Sequence, residues 1–292
     1  MPILAARAFL QRARTCAPSR VYPAGACAIL RARRRHAPTP HLSRKEPAMA
    51  DADLLPTDGF LSHASDFDAH SHGKALAGHA CRFDLGAYRD ELYRRHGVDF
   101  PPQLARAVNK RRGEYLAGRV CAQRVLQRLG MAPAQIAIGA AREPLWPAGA
   151  MASISHAGDR AVCVATLDID VIGLGIDIER GIGLELAAEI RGVVVDADEE
   201  ALIRAGFDDF PFGLAAVFSA KESLYKALFD QVRSFFGFEA MRLTRVNPQR
   251  LEFAAAQTLA PGVRAGQGFA VDYRREDDNG VRSIACVLRP PA

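Results

Sequence analysis

The sequence predicts an α+β protein with mostly antiparallel sheets. Three observations carry this. Strand-like and helix-like runs alternate irregularly, without the regular β-α-β rhythm of a parallel fold. Four β-prone segments come late in the chain, and an Asn279-Gly280 turn joins the last two as a hairpin. One long basic helix stands in the first half. The halves divide near residues 165–170.

In chain order, residues 56–80 are rich in Gly, Ser, Asp and His and read as loops with short strands. His63, His70, His72 and His79 lack an i, i+4 pair and an accompanying carboxylate cluster, so they read as surface-loop histidines. From Leu104 to Leu129, apolar residues recur at three- and four-residue steps, and Gly130 marks the stop. The other face holds Arg106, Lys110, Arg111, Arg112, Arg119, Arg124 and Arg128. It reads either as a solvated face with a Lys110–Glu114 pair or as a phosphate clamp.

Residues 151–179 read as a three-stranded meander with turns at 157–160 and 168–170. Asp196–Ala205 and Phe212–Phe229 read as helices. Strands follow near Met241–Val246, Leu251–Ala255, Phe269–Tyr273 and Arg282–Leu288.

The net charge is +5, but residues 1–48 hold ten basic residues and only Glu46 as an acid. The remainder has 28 basic and 32 acidic residues, so nothing beyond the first segment favours nucleic acid as a partner. Residues 1–48 admit three readings: a disordered or over-extended tail, a targeting segment, or a nucleic-acid arm. Six cysteines form no CxxC pair and fit no zinc spacing, which predicts a reduced, cytoplasmic setting. No 18-residue apolar run predicts a membrane span. Gly173-x-Gly175 lacks the third glycine of a dinucleotide fingerprint.

Three segments carry chemistry. In Gly175-Ile176-Asp177-Ile178-Glu179, strand alternation puts Asp177 and Glu179 on one face, ~7 Å apart. Such a pair suits a hard cation, or else it is the polar side of a half-exposed strand. In Phe218-Ser219-Ala220-Lys221-Glu222-Ser223-Leu224-Tyr225-Lys226, Glu222 and Lys226 share a helix face. A capping box from Ser219 to Glu222 competes with a longer helix that buries Phe218; the longer helix is expected. Ser153-Ile154-Ser155-His156 ends a strand after the rigid Pro144-Leu145-Trp146-Pro147 loop. Adjacent strand residues face opposite ways, so Ser155 and His156 do not form a nucleophile pair.

Together with Lys110-Arg111-Arg112-x-Glu114-Tyr115-Leu116-Ala117-Gly118-Arg119, and in this order, these motifs resemble the 4′-phosphopantetheinyl transferases over residues 80–245. The likeness is to the enterobactin-synthetase component D branch of the two-lobed, surfactin-type group.

The resemblance implies two α+β lobes related by a pseudo-twofold axis, with coenzyme A in the cleft between them. The lobes would span 49–167 and 168–292, the second carrying the metal site. It implies transfer of the phosphopantetheine arm to a serine of an apo acyl, peptidyl or aryl carrier protein by a monomeric enzyme. Asp177, Glu179 and Glu222 match Mg²⁺ ligands, Glu222 or Glu179 the base, and Lys226 a lysine near the pyrophosphate. Arg111, Arg112, Arg119, Arg142, Ser155 and His156 fall in coenzyme-binding segments. A carrier-protein or nucleic-acid binding protein without catalysis is the alternative.

Overall fold

The computed structural model describes residues 58–290. Residues 1–48, with the three readings given for them, lie outside this range. The elements are β1 Leu61–Ser71, β2 Lys74–Phe83, a one-turn α1 Leu92–Arg95, α2 Asn109–Arg128, β3 Met151–Ala157, β4 Arg160–Thr166 and β5 Val171–Glu179. Then come α3 Leu184–Val194, α4 Ala197–Gly206, α5 Phe210–Val232, β6 Met241–Asn247, β7 Arg250–Ala255, β8 Gly268–Arg275 and β9 Val281–Leu288.

The architecture is α+β with two antiparallel sheets. One has the order β1-β2-β4-β3, the other β5-β9-β8-β7-β6. Helix α2 covers one face of the first sheet, where Leu116, Val120, Cys121 and Val125 meet Cys81, Phe83, Ala161 and Cys163. Helix α5 covers one face of the second, with Leu214, Val217, Phe218, Leu224 and Leu228 against Leu251, Phe253, Val271 and Ala285. A third cluster, of Leu76, Val162, Val164, Leu174, Ile176, Ile178, Ile284 and Cys286, draws on both sheets. Alternating side chains thus give each sheet two apolar faces.

Several elements differ from the sequence reading. Residues 61–83 form a continuous β-hairpin rather than loops with short strands. Strand β1 is mostly exposed, so its polar composition imitated a loop. His79 is not a surface-loop residue: it is buried on β2, its Nδ1 2.6 Å from Asp66 Oδ1. Helix α2 starts at Asn109, because Pro101-Pro102 initiates only a 3-10 turn over Pro102–Leu104. Strand β5 does not extend the β3–β4 hairpin; it leaves to pair with β9. Helix α3 was not anticipated. The longer helix reading is correct. Asp209 caps α5 through its bond to the Phe212 N–H, and Phe218 is buried in mid-helix, so Ser219 is not a cap.

Helix α2 contains Gly113, which lies against Leu85: a Cβ there would come within 2.7 Å of Leu85 Cδ2. Close packing explains a residue that costs a helix about 1 kcal/mol relative to Ala. The helix is followed by Gly130 at φ +77°, where a left-handed turn favours glycine.

Candidate active site

Strand β5 is the edge of its sheet next to β3, the edge of the other. Its register pairs Gly175 with Ala285, Asp177 with Ser283 and Glu179 with Val281. Register partners share a face, so Gly175, Asp177 and Glu179 turn with Ser283 toward α5.

That helix lies almost on the strand. A Cβ on Gly173 would collide with the carbonyl oxygen of Ala227, and one on Gly175 with that of Ser223. The two glycines are therefore the reason α5 can approach β5, and their value lies in packing. The approach brings Lys226 Nζ to 2.7 Å from the Ile176 carbonyl oxygen and 2.8 Å from Asp177 Oδ1. Three buried serines line the same seam: Ser219 and Ser223 hydroxyls lie 2.8 and 2.7 Å from Ser283 Oγ.

The facing edges are joined by hydroxyls. Ser153 Oγ accepts the Ile176 N–H at 3.0 Å, and Ser155 Oγ accepts the Ile178 N–H at 3.4 Å. Ser155 also donates to Asp177 Oδ1 at 2.8 Å. Two serines spaced by two thus meet two amides spaced by two, in place of ladder carbonyls. Ser155 is turned toward Asp177, whereas the His156 ring lies beside Arg111, 3.2 Å from Nη1 to Nε2.

Asp177 is fully buried, and Glu179 and Glu222 are nearly so, which replaces the half-exposed-strand reading of β5. Buried carboxylates need cationic or hydrogen-bonding company, and Asp177 has it in Lys226 and Ser155. Among the described residues, no three His, Cys, Asp or Glu side chains are gathered tightly enough to hold a metal ion on their own. The oxygen-only donor set nevertheless suits Mg²⁺, which is commonly held by one or two carboxylates together with substrate phosphates.

The basic face of α2 divides. Arg111 reaches His156, and Glu114 lies 4.0 Å from Arg111 Nη1. Arg112 donates to the Leu104 and Ala105 carbonyls and pairs with Asp90 at 2.8 Å. Arg119 is buried, donates to the Ile136 carbonyl at 2.8 Å and lies over the Tyr115 ring. Arg142 occupies a tight turn at φ +69°, where its N–H bonds the Gly139 carbonyl. The structure thus groups Asp177, Lys226 and Ser155, and separately Arg111, His156 and Glu114.

A cleft of about 890 Å³ opens past the end of β5, with Glu179, Arg160, Arg282 and Asp278 in its wall. His156, Arg111 and Lys226 are not among its lining residues.

Sequence reasoning missed Glu114 and Ser153. Glu114 had a signal: Ala117, Gly118, Cys121 and Ala122 follow at helical spacing, which puts it on the buried face.

Comparison with known proteins identifies the family. Residues 100–166 match the 4′-phosphopantetheinyl transferase N-terminal domain, and residues 173–278 match the 4′-phosphopantetheinyl transferase superfamily. The chain belongs to the 4′-phosphopantetheinyl transferase superfamily. Enterobactin synthase component D of Salmonella typhi is 35% identical over 237 residues, covering 81% of this chain and 91% of that protein. The homologue of that name from Salmonella typhimurium is 29% identical over 240 residues, again with 91% of its length covered. The 4′-phosphopantetheinyl transferase PptT of Mycobacterium tuberculosis is 37% identical over 151 residues, covering 49% of this chain and 62% of that protein.

Proposed function

We propose that this chain transfers the 4′-phosphopantetheine arm of coenzyme A to a serine hydroxyl of an apo acyl, peptidyl or aryl carrier protein, giving the holo carrier and 3′,5′-ADP. The observation that carries the reading is the pairing of Lys226 with buried Asp177, one helical turn from Glu222. Transferase family membership stands behind it.

In this reading, the lobes are residues 49–167 and 168–292, and coenzyme A lies between them. Arg111 and His156 receive one of its phosphates, since charge-assisted bonds to phosphate are about twice as strong as neutral ones. Arg112 and Arg119 belong to the same binding segment and brace it through carbonyl bonds; Arg142 lies on the neighbouring turn. Ser155 contributes from behind Asp177.

The serine oxygen forms a bond to the attacked phosphorus while the bond from phosphorus to the ADP oxygen breaks. Glu222, or alternatively Glu179, takes the serine proton. Lys226 stabilises charge on the pyrophosphate and leaving group. Asp177, Glu179 and Glu222 would hold Mg²⁺, which supplies charge neutralisation when bound. We further place the enzyme in the cytoplasm as a monomer. Among the described residues, no helix is long and apolar enough to cross a membrane.

The test is direct. Purified protein with Mg²⁺, coenzyme A and an apo carrier should give a carrier mass gain of one phosphopantetheine by mass spectrometry. No gain across acyl, peptidyl and aryl carriers overturns the proposal.

A further inference from the structure

Glu114 is the single acidic residue of α2 and is buried, with 6% of its surface exposed. The helix packs closely here: a Cβ on Gly118 would come within 2.9 Å of Ile154 Cγ2 on β3. Glu114 is thereby held near the end of β3. Its Oε1 lies 3.9 Å from His156 Nδ1, and its Oε2 lies 4.0 Å from Arg111 Nη1. The third side of the triangle is the 3.2 Å contact between Arg111 Nη1 and His156 Nε2.

The chemistry of the three groups fixes their roles. A guanidinium only donates, so this contact is a hydrogen bond in the tautomer that leaves Nε2 of His156 as the acceptor. That tautomer carries its ring proton on Nδ1, the nitrogen turned toward Glu114. An arginine that donates to a neutral imidazole has a weak acceptor. A phosphate oxygen is a better one and displaces it.

We propose that Glu114 is a positioning residue for the phosphate-bearing substrate. It turns Nδ1 of His156 inward and keeps Nε2 beside the Arg111 guanidinium, so that the two form one phosphate-receiving face. This rests on the reading of Arg111 and His156 as coenzyme-binding groups. A carboxylate that only stabilised the fold would lower the amount of folded enzyme and leave the affinity for coenzyme A alone.

The experiment varies coenzyme A at saturating apo carrier. Glu114→Gln should raise KM for coenzyme A about tenfold while kcat stays within about twofold, as expected for lost binding in ground and transition states alike. In a His156→Gln background, the same change should add nothing further. An active Glu114→Gln enzyme with unchanged KM, or a full further rise in the His156→Gln background, overturns the inference.

Nitrogen-15 NMR of His156 in the wild-type chain gives a test independent of whether that variant folds. The free protein should show protonated Nδ1, and adding coenzyme A should shift the His156 ring nitrogens. A proton on Nε2 in the free protein, or a ring indifferent to coenzyme A, overturns the inference. A wild-type chain inert toward every carrier would sink the transferase reading alone, and the NMR titration would still judge whether His156 is held with Nδ1 toward Glu114 and answers to coenzyme A.

Discussion

Ser155 and Asp177 stand on the facing edges of two different sheets, and one hydrogen bond of 2.8 Å joins them. The same carboxylate oxygen receives Lys226 at 2.8 Å. One oxygen therefore ties the first sheet, the second sheet and the long helix together. Replacing Ser155 by Ala removes a donor to Asp177 and the acceptor of the Ile178 N–H. Ser155→Ala should cost about 1–3 kcal/mol in urea unfolding, since a buried amide loses its partner. Transfer activity should fall by about tenfold or more as Asp177 loses its orientation. Ser153→Ala removes only the Ile176 N–H contact and should cost stability with less effect on kcat.

Glu222 separates chemistry from folding. It is buried on α5, beside the seam where Lys226 reaches Asp177. Glu222→Gln keeps the shape and removes the charge. If Glu222 takes the serine proton, as proposed, kcat should fall by at least ~10²-fold, the usual scale of a lost general base, with circular dichroism unchanged. Retention of both turnover and Mg²⁺ dependence would remove Glu222 from the site.

What was legible in the sequence follows from which interactions are local. Asp177 and Glu179 could be assigned to one face by strand alternation, and Glu222 and Lys226 by helical spacing, because both depend only on neighbours in the chain. The partner of a strand is not local. The pattern at 171–179 says strand, and nothing in it says that β9, rather than β4, would be alongside. Composition also misleads at an edge: β1, exposed along most of its length, has the residues of a loop. Glu114 was hidden by its company, since seven basic residues nearby suggested a solvated helix face and a surface pair. The small residues at helical spacing after it were the one signal that it points inward, and the packing against β3 shows that it does.

His96 should make stability depend on pH. Its side chain is almost wholly buried, its ring adjoins Phe60, and Nε2 lies 2.9 Å from Asp58 Oδ2. Burial pulls its pKa below the ordinary 6.5, and the Asp58 charge opposes this only in part. The folded state therefore resists a proton that the unfolded chain accepts. Between the lowered folded value and 6.5, the unfolded state binds more protons, so stability falls as pH drops through that window and is regained above it. Urea midpoints measured across this range should show the slope, and His96→Gln should flatten it. An equal slope in both proteins would assign it to other groups.

Lys221 and Glu199 tell framework apart from site. Their side chains are 1% and 3% exposed and pair at 2.7 Å. Lys221 also donates to the Val194 and Phe238 carbonyls, while Glu199 accepts the N–H groups of Leu243 and Asp196. One ion pair thus fastens the end of α3, the start of α4 and the start of β6 to α5. Burial pulls the lysine pKa down, and the Glu199 charge opposes it. Lys221→Met strands a buried carboxylate and should cost about 3–5 kcal/mol. Adding Glu199→Leu should restore part of that loss but not all, because the Leu243 and Asp196 amides lose their acceptor. Lys221 directly precedes Glu222, yet α5 is also held against β5 by the close contacts at Gly173 and Gly175 and by Lys226. Turnover per folded molecule should therefore change far less than the unfolding midpoint does. If active-site titration shows kcat collapsing in a fully folded Lys221→Met enzyme, then the pair positions Glu222 and is not framework alone.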